Sequence, residues 1–326
     1  MQVISNQHTI ILKYFIVNIS KLPFHTKELI CMIHLESLTK QFSNQKGIFN
    51  VSLRVNEGEV LGFLGPNGAG KSTTIRHLMG FIQPDQGSSF INGLNTWKEA
   101  NKVQKIVGYL PGEISFLDDM TGMQFLELMT KMKGIKDISY RTYLIELLQF
   151  DPTVSIRKMS KGMKQKVGIV TAFMNRPNVL ILDEPTSGLD PLMQQIFIDL
   201  LVEHKKMGTT IFMSSHIFSE VERVCDKIVI IKDGRIVKDA PIEEVQRNKR
   251  NTFIVAVSTP EEVQRIVHSH LDATQLGELE VQIAVTDSFH ELFQLLSDMN
   301  VTNFKSKSER LEDLFMNYYQ EGGKSI

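Results

Sequence analysis

Short runs of consecutive apolar residues, each closed by polar or glycine-rich turns, alternate along this chain with stretches whose apolar positions recur every third or fourth residue. The first kind predicts buried strands, the second helices packed by one face. Residues 33–39 and 51–55 read as strands joined by a polar loop around residues 44–47. Residues 59–64 (EVLGFL) are apolar enough for a buried strand, and STTIRHLMGF beyond them reads as a helix stopping before Pro84. Residues 103–110 (VQKIVGYL) are expected as another strand. From residue 121 to about 149 the spacing is helical. Strand pattern returns at 178–182 (NVLIL), followed by a helix over 192–207 and a strand over 209–214 (TTIFMS). Asp233–Gly234 between IVIIK and RIVKD signals a hairpin turn. Beyond about residue 251 the order is FIVAV, EEVQRIV, LEVQIAV, FHELFQLL, then a final strand and helix, which suggests a small α+β appendix.

The turn after the strand at 59–64 changes the picture from fold to chemistry. Residues 65–73 read GPNGAGKST: Gly65, Pro66, Asn67, Gly68, Ala69, Gly70, Lys71, Ser72 and Thr73. They fit G-x-x-x-x-G-K-[ST] in the strand–loop–helix context that the motif requires. Glycines let successive backbone N–H groups turn inward as an anion-binding nest, and the following helix adds its positive end. Lys71 is placed to reach the β- and γ-phosphates, and the Ser72 hydroxyl to bind Mg²⁺. The chain is therefore expected to bind a nucleoside triphosphate. At the tip of the strand 178–182 stand Asp183 and Glu184. The first suits Mg²⁺ held through water beside the phosphates, the second the orientation and deprotonation of an attacking water.

Composition narrows the partners. The 326 residues are 42% hydrophobic, enough for a sizeable core and two domains. Thirty-six basic residues against 37 acidic ones give a net charge of -1. That balance lends no support to a nucleic-acid partner, and none is expected. Two cysteines, Cys31 and Cys225, lie far apart without metal-ligand spacing. No stretch approaches the roughly 18 apolar residues of a membrane span. The nearest, residues 9–19, is too short and contains Lys13, so the chain is expected to be soluble on its own. Residues 1–31 differ in character from the rest of the chain, whereas Met32 opens a typical domain start. The expectation is that Met32 initiates and that 1–31 is an untranslated extension, the alternative being a short amphipathic arm.

The run MSKGMKQKVGIVTAFMNRPNVLILDEPTSGLDP resembles the ATPase subunit of ABC transporters, most closely the separate ATP-binding subunits paired with ABC-2-type permeases. The similarity extends over about residues 32–240, with several motifs in the family's order. It implies an α/β fold: a P-loop NTPase core with an antiparallel β subdomain and an inserted helical subdomain at about 115–175. The ATPase domain would span 32–250 and the α+β accessory domain 251–326. By position, residues 159–163 (MSKGM) occupy the signature, usually LSGGQ. Ser160 is a good helix N-cap, and with Gly162 it would face the γ-phosphate bound by the opposite subunit. Lys161 and Met163 stand where Gly and Gln are usual. Asp190 matches the loop that crosses the dimer interface, His216 the switch histidine at the γ-phosphate, and Phe42 the aromatic that stacks on adenine. Where the family carries a glutamine touching Mg²⁺ this chain has Gly112, then Glu113. The metal role is either lost or passed to Glu113.

The resemblance further implies ATP and Mg²⁺ as cofactors, a second ATPase subunit (identical or different), and an integral membrane permease that places the chain on the cytoplasmic face of the membrane. It favours export of a drug, peptide or lipid-like compound. Three rivals are a soluble ABC ATPase acting on ribosomes, a chromosome or repair ATPase, and a non-enzymatic ATP-dependent regulator. A single P-loop counts against the first, a short interval without heptads between Lys71 and Asp183 against the second, and the intact Asp183–Glu184 pair against the third.

Overall fold

A computed structural model of the chain describes residues 31–43, 46–117, 119–247, 251–285 and 289–308. The N-terminal extension through residue 30 and the expected final helix lie outside the described residues.

Two sheets lie behind the nucleotide motif. In the first, β1 (Cys31–Gln41), β2 (Gly47–Asn56), β4 (Gln86–Ile91) and β5 (Leu94–Asn95) run antiparallel in the order β2-β1-β4-β5. The second is the scaffold of the site. It contains β3 (Val60–Leu64), β6 (Val107–Leu110), β7 (Val179–Asp183), β8 (Thr210–Ser215), β9 (Lys227–Lys232) and β10 (Arg235–Pro241), ordered β10-β9-β3-β8-β7-β6. All its pairs are parallel except β10 on β9. Every residue of β3, β7 and β8 is buried, which is why these strands read as unbroken apolar runs rather than alternation. Their side chains still alternate between two cores. Val60, Leu64, Leu180, Leu182, Ile211 and Met213 face one, while Leu61, Phe63, Val179, Ile181 and Phe212 face the other.

Register then fixes where the chemistry falls. Leu64 pairs with Ser215, and Asp183 with Ser214. The carboxyl ends of β3, β7 and β8 therefore finish on one edge of the sheet, the position from which open α/β sheets present ligand-binding loops. From that edge spring α1 (Lys71–Leu78), the loop to α6 (Pro191–Lys206) and the segment leading to α7 (Phe218–Val224).

The helical insertion consists of α3 (Gly122–Met132), α4 (Ser139–Leu147) and α5 (Lys161–Phe173). Thr121 opens α3 with a full capping box to Gln124. Residues 103–110 correct the expectation of a single strand: α2 (Ala100–Ile106) fills the first part and only Val107–Leu110 is β6. Val103, Ile106 and Val107 fit helical spacing as well as an apolar run, and only the last four residues pair with β7. The predicted hairpin forms, with Asp233 and Gly234 at φ 48° and 75°.

After α8 (Ile242–Arg247) the chain makes a β-α-β-β-α-β unit from β11 (Asn251–Val257), α9 (Pro260–Val267), β12 (Asp272–Gln275), β13 (Glu280–Val285), α10 (His290–Ser297) and β14 (Val301–Ser308). Its antiparallel sheet has the order β12-β13-β11-β14. It has a hydrophobic cluster of its own around Val255, Val263, Ile283 and Leu292.

Candidate nucleotide site

The loop between β3 and α1 wraps its own lysine. Lys71 is buried, and its Nζ donates to the carbonyls of Gly65 at 2.7 Å and Pro66 at 3.3 Å. Gly70 caps α1 at φ 113° and brings no side chain to the helix end. A Cβ there would meet Ile48 Cγ2 at 2.7 Å, so the position needs glycine on both counts. The helix start is thus left open as an anion-binding end. Asn67, Gly68, Lys71, Ser72 and Thr73 line a cavity of about 150 Å³ with Glu184.

A larger cavity of about 490 Å³ adjoins it, lined by Asn67, Ser72, Arg76, Tyr109, Gly112, Glu113, Lys161, Asp183, Glu184 and Ser187, with Pro111 completing the wall. Asp183 is buried at the end of β7 and accepts a hydrogen bond from Ser214 Oγ at 2.5 Å. Glu184, one residue on, has φ 46°, a left-handed conformation that a glutamate adopts only when its surroundings hold it there. They do: its N–H donates to Ser214 O at 3.2 Å and Ser214 Oγ at 3.0 Å. The turn aims the carboxylate between the Lys71 ammonium and the His216 ring, with Oε1 3.3 Å from Lys71 Nζ and Oε2 3.5 Å from His216 Nδ1. A phosphate entering the loop would compete with Glu184 for Lys71 and free the carboxylate toward water.

Tyr109 lines the larger cavity, and burial followed by the Asp183 charge pushes its phenol up to about 12. Behind the His216 loop, Glu220 Oε2 accepts from Ser215 Oγ at 3.1 Å, and burial raises its carboxyl above the usual range. Sequence reasoning missed Ser214, Ser215, Arg76, Tyr109 and Glu220. Only the two serines before His216 carried a signal, as polar residues at the tip of an apolar run.

Ser72 and Asp183 offer hard oxygen donors in one cavity, which suits Mg²⁺. Among the described residues no three His, Cys, Asp or Glu side chains converge as a ready metal cluster. Glu113 lines the cavity without joining Asp183 and Glu184 in such a group. Gly112 leaves little space for anything larger, since a Cβ there would lie 3.3 Å from the Asp183 carboxyl.

Of the remaining expected residues, His216 reaches this centre through Glu184, whereas Ser160, Gly162, Asp190 and Phe42 line neither cavity. Ser160 caps α5, its Oγ accepting from Met163 N at 3.2 Å. Asp190 caps α6, its Oδ1 accepting from Met193 N at 3.0 Å. His216 and Phe42 are exposed, at 56% and 39%.

A family model described as ABC transporter matches residues 48–187. The YxlF ABC transporter ATP-binding protein of Bacillus subtilis is 32% identical across 87% of this chain and 98% of its own length. The chain belongs to the ATP-binding proteins of ABC transporters. The bacitracin transport ATP-binding protein BcrA of Bacillus licheniformis is 34% identical over 74% of the chain and 80% of its own length. A solved ATP-binding subunit of an ABC transporter superposes with a TM-score of 0.61 at 32% identity, covering 66% of this chain and 92% of that one. The fold is also that of the MJ0796 cassette, solved as a post-hydrolysis dimer with ADP and Pi, at TM-score 0.59 and 22% identity over 65% of this chain and 99% of that one. The chain is accordingly an ABC-type ATP hydrolase with a P-loop core. Among its described residues no helix is long and apolar enough to cross a membrane.

Proposed function

We propose that the chain energises a separate integral membrane permease of the ABC-2 exporter kind, on the cytoplasmic face of the membrane, moving a drug, peptide or lipid-like compound outward. The supporting observation is the convergence of Lys71, Asp183 and Glu184 on one sheet edge, in a chain whose relatives include proteins named for bacitracin transport and linearmycin resistance. The P-loop amides and Lys71 hold the β- and γ-phosphates of ATP. Ser72 and Asp183 would hold Mg²⁺, which when bound neutralises phosphate charge. Glu184 takes the proton of the attacking water, His216 contacts the γ-phosphate, and Phe42, exposed rather than packed into a core, stacks on adenine.

Ser160, Gly162 and Asp190 act across an interface on the nucleotide of a second ATPase subunit. None of the three lines either cavity of its own chain, which supports that division. ATP binding favours the closed pair, and hydrolysis releases it, so the permease is driven between two states. Residues 251–326 form an accessory domain, with 32–250 as the ATPase domain. Purification of the tagged chain from detergent-solubilised host membranes tests the transporter reading. The expected result is a stoichiometric multi-spanning permease. A chain recovered only with ribosomes or other cytosolic partners would overturn it and leave the ATPase standing.

A further inference from the structure

The signature segment departs from its family pattern at Lys161, whose side chain takes a definite course. Lys161 is the first residue of α5, and the first turn of that helix carries no acid. A cation there works against the helix dipole, so its placement needs another cause. The side chain runs to the loop that follows Glu184. Its Nζ donates to Ser187 Oγ at 2.9 Å. Its stem crosses Gly188, where an added Cβ would meet Lys161 Cγ, Cδ and Cε at 3.0, 3.1 and 3.3 Å. Gly162 comes as close from the same helix, since a Cβ on it would lie 2.7 Å from Gly188 O. One turn further along α5, buried Gln165 donates from Nε2 to Pro185 O at 2.6 Å. The loop is tied to the catalytic end as well, through Ser187 N to Glu184 O at 3.1 Å.

We propose that Lys161 is a positioning residue that, with Gln165, latches the loop 184–190 to the signature helix of the same chain. Glu184 at one end of the loop and Asp190 at the other then follow the helical insertion as one unit. Glycine, the usual family residue at this place, would leave Gln165 as the only side-chain anchor from α5. The bond itself is exposed and weak in stability. Its effect is on where the loop sits.

This inference rests on the ATPase reading of the site, and its test separates the two. Lys161→Met keeps the stem and removes the ammonium, Ser187→Ala removes the acceptor, and Lys161→Arg is the conservative rescue. Hydrogen–deuterium exchange of the nucleotide-free protein should show amides of 184–190 exchanging about three- to tenfold faster in Lys161→Met and in Ser187→Ala. The thermal midpoint should hold, the double variant should go no further than either single one, and Lys161→Arg should restore wild-type exchange. In ATP hydrolysis the same variants should lose about three- to tenfold in kcat with KM unchanged. Unchanged exchange, additive effects in the double variant, or a rise in KM alone would overturn the latch. Glu184→Gln run alongside judges the site reading: if it hydrolyses at the wild-type rate that reading fails, while the exchange result still decides the latch.

Discussion

Ser214 is the residue on which the two acids depend. Its hydroxyl donates to Asp183 and its backbone and side-chain oxygens both hold the Glu184 N–H. Ser214→Ala leaves Asp183 Oδ1 buried without this donor and loosens a backbone at φ 46°, a change worth on the order of 1–2 kcal/mol. We expect kcat to fall about tenfold with a smaller change in KM, measured as steady-state phosphate release over a range of ATP concentrations. The residues of the P-loop and the Asp183–Glu184 pair were legible in the sequence because their spacing is set by local backbone geometry. Ser214 was not, because its contact arises from strand register between β7 and β8, which no local pattern encodes.

At the scale of elements, α4 of the helical insertion is bound to α6 of the core through a buried pair. Tyr140 OH lies 2.7 Å from His204 Nε2, and His204 Nδ1 lies 3.3 Å from Thr209 Oγ1. Burial, then the Arg176 charge, lowers the His204 pKa to about 4 from 6.5. The folded imidazole is neutral where the unfolded one takes up a proton, so its contribution is complete above pH 6.5 and is lost as pH falls from there toward about 4. Buried His77, also lowered, acts in the same direction. Thermal denaturation should show the midpoint dropping across that window, with a shallower slope in His204→Gln. An equal slope would contradict the assignment. Tyr140→Phe strands His204 Nε2 and should cost about 1–2 kcal/mol at pH 7.5, read from urea unfolding.

Legibility followed burial. The strands β3, β7 and β8 are buried throughout and stood out as apolar runs. By contrast β4, with sequence QGSSFI, owes its place to pairing with β1 and lacks an apolar pattern. The α2–β6 boundary was hidden because Val103, Ile106 and Val107 satisfy both periods.

For the molecule as a whole, one chain brings together the P-loop, Asp183 and Glu184, whereas Ser160, Gly162 and Asp190 line neither cavity. In the proposed function a second subunit completes the site. In Glu184→Gln, expected to hold nucleotide with little turnover, ATP should double the mass seen by light scattering, and ADP should not. A mass unchanged by ATP would contradict a homodimer and direct attention to a different partner subunit. The fold class was legible because motif order fixes the core. The proposed division of the site between chains rests on resemblance, since the signature is recognisable only by its likeness to a family pattern.

The proposed mechanism stands on Glu184, poised between Lys71 and His216, as the base that makes a bound ATP reactive. The most direct test is phosphate release by Glu184→Gln at saturating ATP, with bound nucleotide measured in the same samples. ATP should be held as in wild type and turnover reduced by about a hundredfold or more. Wild-type turnover in that variant would contradict the role of Glu184 as the base.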